Sequence, residues 1–129
     1  MILVDTSVWV RALRAALNRE AAGLRTLLDA DEVALATPVR IEILAGAPAR
    51  DQPRLRRLLS ALPCWPPAPS TWRLVESWLE PIARAGERFG VVDLLIAAVA
   101  AEHEVEIWSL DRDFERMARL NLVRVHSPA

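Results

Sequence analysis

Ile2-Leu3-Val4-Asp5-Thr6-Ser7-Val8-Trp9-Val10 decides the fold. Ile2–Val4 is short, partly β-branched and continuously apolar, so it reads as a buried strand. Asp5 follows at once, and from Val8 the apolar residues take helical spacing. A strand that turns directly into a helix opens a βα unit, and the rest of the chain repeats that alternation.

Val8–Ala16 and Glu20–Ala30 have helical spacing, with Leu24, Leu27 and Leu28 on one face. Val33–Ala36 is a second strand. Thr37-Pro38 reads as an N-cap with proline at the first helical position, and the helix runs through Glu42 to about Ala47. Arg54–Ala61 is another helix, with Leu55, Leu58, Leu59 and Leu62 directed inward. Leu62–Ser70 is a proline-rich connector with a short strand near Cys64-Trp65.

Ser70 is expected to cap a helix over Thr71–Gly86, with Trp72, Val75, Trp78, Leu79 and Ile82 on its face. After a loop at Gly86–Gly90, the spacing predicts an apolar helix over Val92–Glu102. Glu106–Leu110 is a strand, Phe114–Leu120 a short helix and Leu122–Val125 a last strand. Such alternation implies βαβ units and an α/β fold: a mostly parallel central sheet with helices on both faces, in three layers. Residues 1–129 are enough for a single domain.

The chain carries 16 basic residues, all of them arginine, against 17 acidic ones, for a net charge of −1. The overall field does not draw it onto nucleic acid. Arginine is the better bidentate ligand for phosphate, although composition bias explains the absence of lysine equally simply. Arg11, Arg14, Arg112 and Arg116 would form either a backbone-contacting rim or ordinary solvated helix faces. One cysteine, Cys64, excludes an internal disulfide and a thiolate metal site. No signal peptide is read at the N-terminus, the longest apolar run is too short for a membrane span, and the cytoplasm is the expected location.

Four carboxylates stand at or near the ends of hydrophobic runs: Asp5, Glu42, Asp93 and Asp111. A charge in an apolar setting costs several kcal/mol unless it is paired. Each has a plainer explanation when taken singly. Asp5 suits a helix N-cap, and Glu42 a solvent-facing helix position. Asp93 suits a cap or a favourable place in the helix dipole. Asp111 and Asp113 both suit a turn that caps the following helix. Asp93 is the hardest to dismiss, because Val91, Val92 and Leu94–Val99 surround it with apolar residues.

Taken together, converging carboxylates repel unless a cation sits among them. All-oxygen ligands select a hard ion, Mg²⁺ or Mn²⁺, over Zn²⁺. Such sites handle phosphates, and the chemistry that follows is in-line attack of water on a phosphodiester. Asp5 and Asp111 fall after strands, at the edge where parallel sheets bind ligands. Thr6 and Ser7 add hydroxyls and backbone N–H groups at a helix start.

The same residues, in this order, carry a resemblance. The segments LVDTSVWV, TPVRIEILAG, VVDLLIAA and WSLDRDFERM, spanning Leu3–Met117, resemble the PIN-domain ribonucleases, and within them the VapC-type toxins of toxin–antitoxin pairs. The resemblance implies a PIN-like parallel sheet flanked by helices, an acidic pocket holding Mg²⁺ or Mn²⁺, and endonucleolytic cleavage of RNA. Carried over, Asp5, Glu42, Asp93 and Asp111 form that pocket. Thr6 or Ser7 would orient the first carboxylate or the phosphate, and Ser109 stands where the family often has threonine. The family often has asparagine at the place of Asp111, so Asp113 shares its claim. A cognate antitoxin and a homodimer are further implications. Trp65, Trp72 and Trp78 are expected in the core rather than at an interface.

Competing readings fail on particular residues. A haloacid-dehalogenase-type phosphatase needs an Asp-x-Asp pair after its first strand, where this chain has Asp5-Thr6-Ser7. That enzyme and a receiver domain both rely on a lysine at the phosphoryl group, and the chain has none. A P-loop enzyme lacks its glycine-rich loop and lysine. The alternative of a different class is a catalytically inactive PIN-like scaffold or partner-binding module, against which the retention of all four carboxylates argues.

Overall fold

The computed structural model describes residues 1–15 and 17–128. Its strands are β1 (Ile2–Val4), β2 (Val33–Ala36), β3 (Cys64–Trp65) and β4 (Glu106–Trp108). They form one sheet in the order β3-β2-β1-β4. All three pairings are parallel, with Ile2 opposite Val33 and Glu106, and Leu35 opposite Cys64. β1 and β2 are buried along their whole length, as strands covered on both faces must be.

The crossovers carry α1 (Thr6–Arg14), α2 (Arg19–Asp29), α3 (Thr37–Ala45), α4 (Gln52–Ser60), α5 (Pro69–Arg84), α6 (Val91–Glu102) and α7 (Arg112–Arg119). A 3₁₀ turn over Ala49–Asp51 precedes α4. The result is the expected α/β/α layering. α6 is the central helix: Leu94–Ala100 are all buried, and it packs against α5, α3, β4 and β2. At the far side Phe114 and Met117 of α7 are buried, each contributing about 2 kcal/mol of hydrophobic stabilisation.

Strand order sets the location of any site. The chain leaves β1 towards β2 and β3, then crosses over to place β4 on the other side of β1. The carboxyl ends of β1 and β4 therefore flank a topological switch point, where ligand crevices form in open parallel sheets. Asp5 directly follows β1, and Ser109 directly follows β4.

Several sequence expectations change in detail. Ala16, the expected end of the first helix, lies outside the described residues. Thr37 is already helical: Ala36 holds the N-cap position of α3, and the Thr37 hydroxyl lies 3.7 Å from the Cys64 sulfur. Ser70 does not cap α5, whose N-cap residue is Ala68. Instead the Thr71 hydroxyl accepts from the Ala68 N–H at 2.9 Å. Ser70 and Thr71 both donate to Glu102 at the far end of α6, and these bonds, Ser70's first, hold the Glu102 carboxyl below its ordinary range.

α5 buries Thr71, Val75, Trp78 and Ile82, a stripe at four-, three- and four-residue steps. Trp72 and Leu79 lie beside that stripe and are 52% and 49% exposed. Trp72 is thus not core, whereas Trp78 is, and Trp65 is half-buried in a stack on His103 with ring centres 3.9 Å apart. Leu58 is exposed for the same geometric reason, while Leu55 and Leu59 face inward. β4 stops at Trp108, so Ser109 and Leu110 are free to turn into the site. The expected last strand reduces to one parallel bridge, Ile107 to Val125, closed by Ile107 N–H to Arg124 O at 2.9 Å and His126 N–H to Ile107 O at 2.7 Å.

Candidate active site

Asp5 is 5% exposed and sits at the N-cap position of α1, yet its side chain makes no capping bond. The carboxylate turns to two hydroxyls instead. Ser7 Oγ donates to Asp5 Oδ2 at 2.9 Å, and Ser109 Oγ donates to the same oxygen at 2.7 Å. Each serine has one proton, so the 3.2 Å approach between the two Oγ atoms is a shared acceptor's consequence rather than a third bond. Both oxygens also accept: Ser7 Oγ from the Leu110 N–H and Ser109 Oγ from the Asp111 N–H, each at 2.9 Å. The Asp5 N–H donates to Trp108 O at 2.9 Å. The ends of β1 and β4 are thereby laced together around one buried carboxylate.

Three carboxylates form the tightest group. One oxygen from each of Asp93, Asp111 and Asp113 lies within 4.8 Å of the others. Asp93 comes from the first turn of α6, and the other two from the N-terminus of α7. Asp111 caps α7, its Oδ1 accepting from the Asp113 N–H at 2.9 Å; the cap reading and membership of the group hold at once. Asp113 Oδ1 accepts from Arg116 Nη1 at 2.6 Å. Glu42, exposed on α3, accepts through Oε1 from the Thr6 hydroxyl at 2.8 Å.

A pattern follows. Asp5, Glu42, Asp111 and Asp113 each have one carboxylate oxygen held by a neighbour. Asp93 accepts no hydrogen bond among the described residues, although it is half-buried at the centre. Its pKa is raised from 3.8 to about 6, first by burial and then by the charges of Asp5, Asp111, Asp113 and Glu42 in that order. Five carboxylates thus bear on one point, with an unpartnered acid in the middle. Carboxylates held by one oxygen and crowded by like charge suit a hard divalent cation. The donor set therefore fits the Mg²⁺ or Mn²⁺ that the sequence suggests.

The sequence reading placed Asp5, Glu42, Asp93 and Asp111 in one pocket, with Thr6, Ser7, Ser109 and Asp113 supporting. The structure brings all eight to one edge of the sheet. Asp113 stands beside Asp111 rather than substituting for it. Arg116 is no free rim residue, because Nε also donates to Glu87 Oε2 at 2.5 Å. That bond, ahead of the Asp113 contact, raises its guanidinium pKa. The three-residue spacing of Asp113 and Arg116 on a helix signals their pairing, whereas nothing local signals Glu87.

The PIN domain family's sequence pattern matches residues 2–120. This chain belongs to the PIN-domain family. The PIN domain is 35% identical over 132 aligned positions to Ribonuclease VapC11 of Mycobacterium tuberculosis, covering 98% of each chain. It is equally similar to a VapC ribonuclease of Mycobacterium bovis, so it stands within the VapC group. Among solved structures, FitAcB from Neisseria gonorrhoeae superposes with a TM-score of 0.81 at 24% identity, over 99% of this chain and 98% of that one. VapBC2 from Rickettsia felis, bound to a promoter DNA fragment, gives 0.78 at 18% identity over 98% of each. At those identities the structural likeness attests the PIN fold.

Proposed function

We propose that this chain is a metal-dependent endoribonuclease acting as the toxin of a toxin–antitoxin pair. The observation that carries the reading is the meeting of Asp93, Asp111 and Asp113 within 4.8 Å at the carboxyl edge of the sheet. Two relatives that are named ribonucleases, each covered almost end to end, support it. The whole of residues 1–129 acts as one catalytic domain.

Asp5, Asp93, Asp111 and Asp113 would hold Mg²⁺ or Mn²⁺, with Glu42 at the edge of the site. A bound divalent ion supplies activation of the attacking water and neutralises charge developing on the phosphodiester. The chain's own work is preorganisation. Ser7 and Ser109 fix Asp5 through Oδ2, and Thr6 holds Glu42 through Oε1. The α7 cap fixes Asp111. Asp5 alone is buried, so the other carboxylates depend on these neighbours to stay in place. RNA is the substrate, and a cognate antitoxin is the partner, as the VapBC complexes among the structural neighbours suggest. We place the protein in the cytoplasm as a homodimer. No helix among the described residues is long and apolar enough to cross a membrane.

The test is degradation of RNA by the purified chain in Mg²⁺ or Mn²⁺, with and without EDTA. Cleavage that EDTA abolishes is expected; undiminished cleavage in EDTA contradicts metal dependence. Expression without an antitoxin is expected to arrest growth, and harmless overexpression contradicts the toxin role.

A further inference from the structure

Arg116 stands outside the acidic group but grips one of its members. Its Nη1 donates to Asp113 Oδ1 at 2.6 Å, and its Nε to Glu87 Oε2 at 2.5 Å. Its Cζ lies 4.9 Å from the centre of the Phe89 ring, which is itself buried. Glu87 and Phe89 belong to the segment between α5 and α6, just ahead of Asp93. One guanidinium therefore ties the approach to α6 to the helix that carries Asp111 and Asp113. Among the described residues it is the arginine that bonds a carboxylate of the group.

The physical need for such a tie is plain. Asp113 is partly exposed and faces Asp93 and Asp111, both of like charge. Repulsion would swing it out to water unless something held it. A planar fork can bond two separate carboxylates in fixed directions, which a point charge does less well. Oδ1 is engaged by Arg116, and Oδ2 accepts no hydrogen bond among the described residues, so it is open to a ligand. The arginine's own positive charge does not cancel the site, because Glu87 and Asp113 together leave the trio net negative.

We infer that Arg116 is a positioning residue for the divalent-cation site, fixing Asp113 towards Asp93 and locking the entrance of α6 to α7. The inference rests on the metal-dependent nuclease reading. The experiment is a Mn²⁺ titration of the full chain, following the spin-resonance signal of free Mn²⁺. Four proteins are compared: wild type, Arg116→Met, Asp113→Asn and the double variant. Arg116→Met is expected to weaken Mn²⁺ binding about tenfold, as loss of an outer-shell partner does, while keeping the wild-type circular dichroism spectrum. In the Asp113→Asn background it is expected to cost nothing further, because the group it positions is gone.

A merely structural arginine would weaken both backgrounds alike, and that result overturns the inference. So does unchanged or tighter binding by Arg116→Met beside normal binding by wild type, an outcome that leaves the nuclease reading intact. Absence of Mn²⁺ binding by wild type overturns both. Arg116→Lys keeps the charge but not the fork and serves if Arg116→Met does not fold. Weakened binding is expected of it, and wild-type affinity overturns the inference.

Discussion

Ser109 Oγ donates to Asp5 Oδ2 at 2.7 Å across 104 positions of the chain. That bond joins the residue after β4 to the residue after β1, the two strands that flank the switch point. It also turns Asp5 away from capping α1. Removing it leaves Ser7 on the same oxygen, so Asp5 keeps a partner but loses its second restraint. Ser109→Ala is expected to cost about 1 kcal/mol of stability and about tenfold in metal affinity. Thermal melts and a Mn²⁺ titration check both figures. Loss of stability with unaltered affinity would assign the serine to folding alone.

Asp93 makes the metal-free protein sensitive to pH. Its folded pKa of about 6 lies above the ordinary 3.8. Between about pH 4 and 6 the folded chain therefore binds more protons than the unfolded one, and stability falls as pH rises through that window. Asp93→Asn removes the effect. In EDTA at pH 7 the variant is expected to be the more stable protein. Solvent around the half-exposed carboxyl limits the gain to on the order of 1 kcal/mol, about 4 °C in melting temperature. At pH 4 the two should melt alike. A wild type as stable as Asp93→Asn at pH 7 would mean the carboxylates do not crowd Asp93.

Metal should reverse that balance. A cation that binds the folded chain alone adds about 2.7 kcal/mol at a hundredfold excess over its Kd. Mn²⁺ is thus expected to raise the melting temperature of wild type and to do so far less for Asp5→Asn. Protons compete for Asp93, so the apparent Mn²⁺ affinity should fall as pH drops below about 6. Scanning calorimetry with Mn²⁺ and with EDTA measures the first effect, and titrations at pH 5 and 7.5 the second. A melting temperature indifferent to a large excess of Mn²⁺ contradicts the proposed site.

Gly23 lets α2 pack closely against the Trp108 indole. A Cβ placed there would lie 2.9 Å from Trp108 Cη2, at a buried indole. Alanine favours a helix over glycine by about 0.5–1 kcal/mol, but overpacking a core costs about 1–3 kcal/mol. The clash should win, so Gly23→Ala is expected to be destabilising by about 1 kcal/mol, the difference between those two terms. Because the Trp108 carbonyl accepts the Asp5 N–H, the variant should also lose metal affinity. A stabilised variant, read by urea denaturation, would show that Trp108 has room to move.

The sheet was legible because strands buried on both faces are continuously apolar: Ile2–Val4 and Val33–Ala36 stand out as written. Asp93 was legible because a charge within so apolar a helix demands a reason. Asp111 and Asp113 could not be ranked from sequence, since both suit the same cap, and in the structure they stand together. Exposed Trp72 and Leu79 were misread because an apolar residue one position off a helical stripe looks much like one on it. The grip of Arg116 on Glu87 spans 29 positions and leaves no local trace.

The central claim is that Asp93 anchors a cation with which this chain cuts RNA. It is tested most directly by the cleavage rate of one RNA substrate in saturating Mn²⁺, for wild type and Asp93→Asn. Losing a ligand should cost more than the about 10–100-fold that losing an outer-shell partner costs, so a drop beyond 100-fold with the fold intact is expected. Asp93→Asn protein that degrades RNA at the wild-type rate would contradict the account.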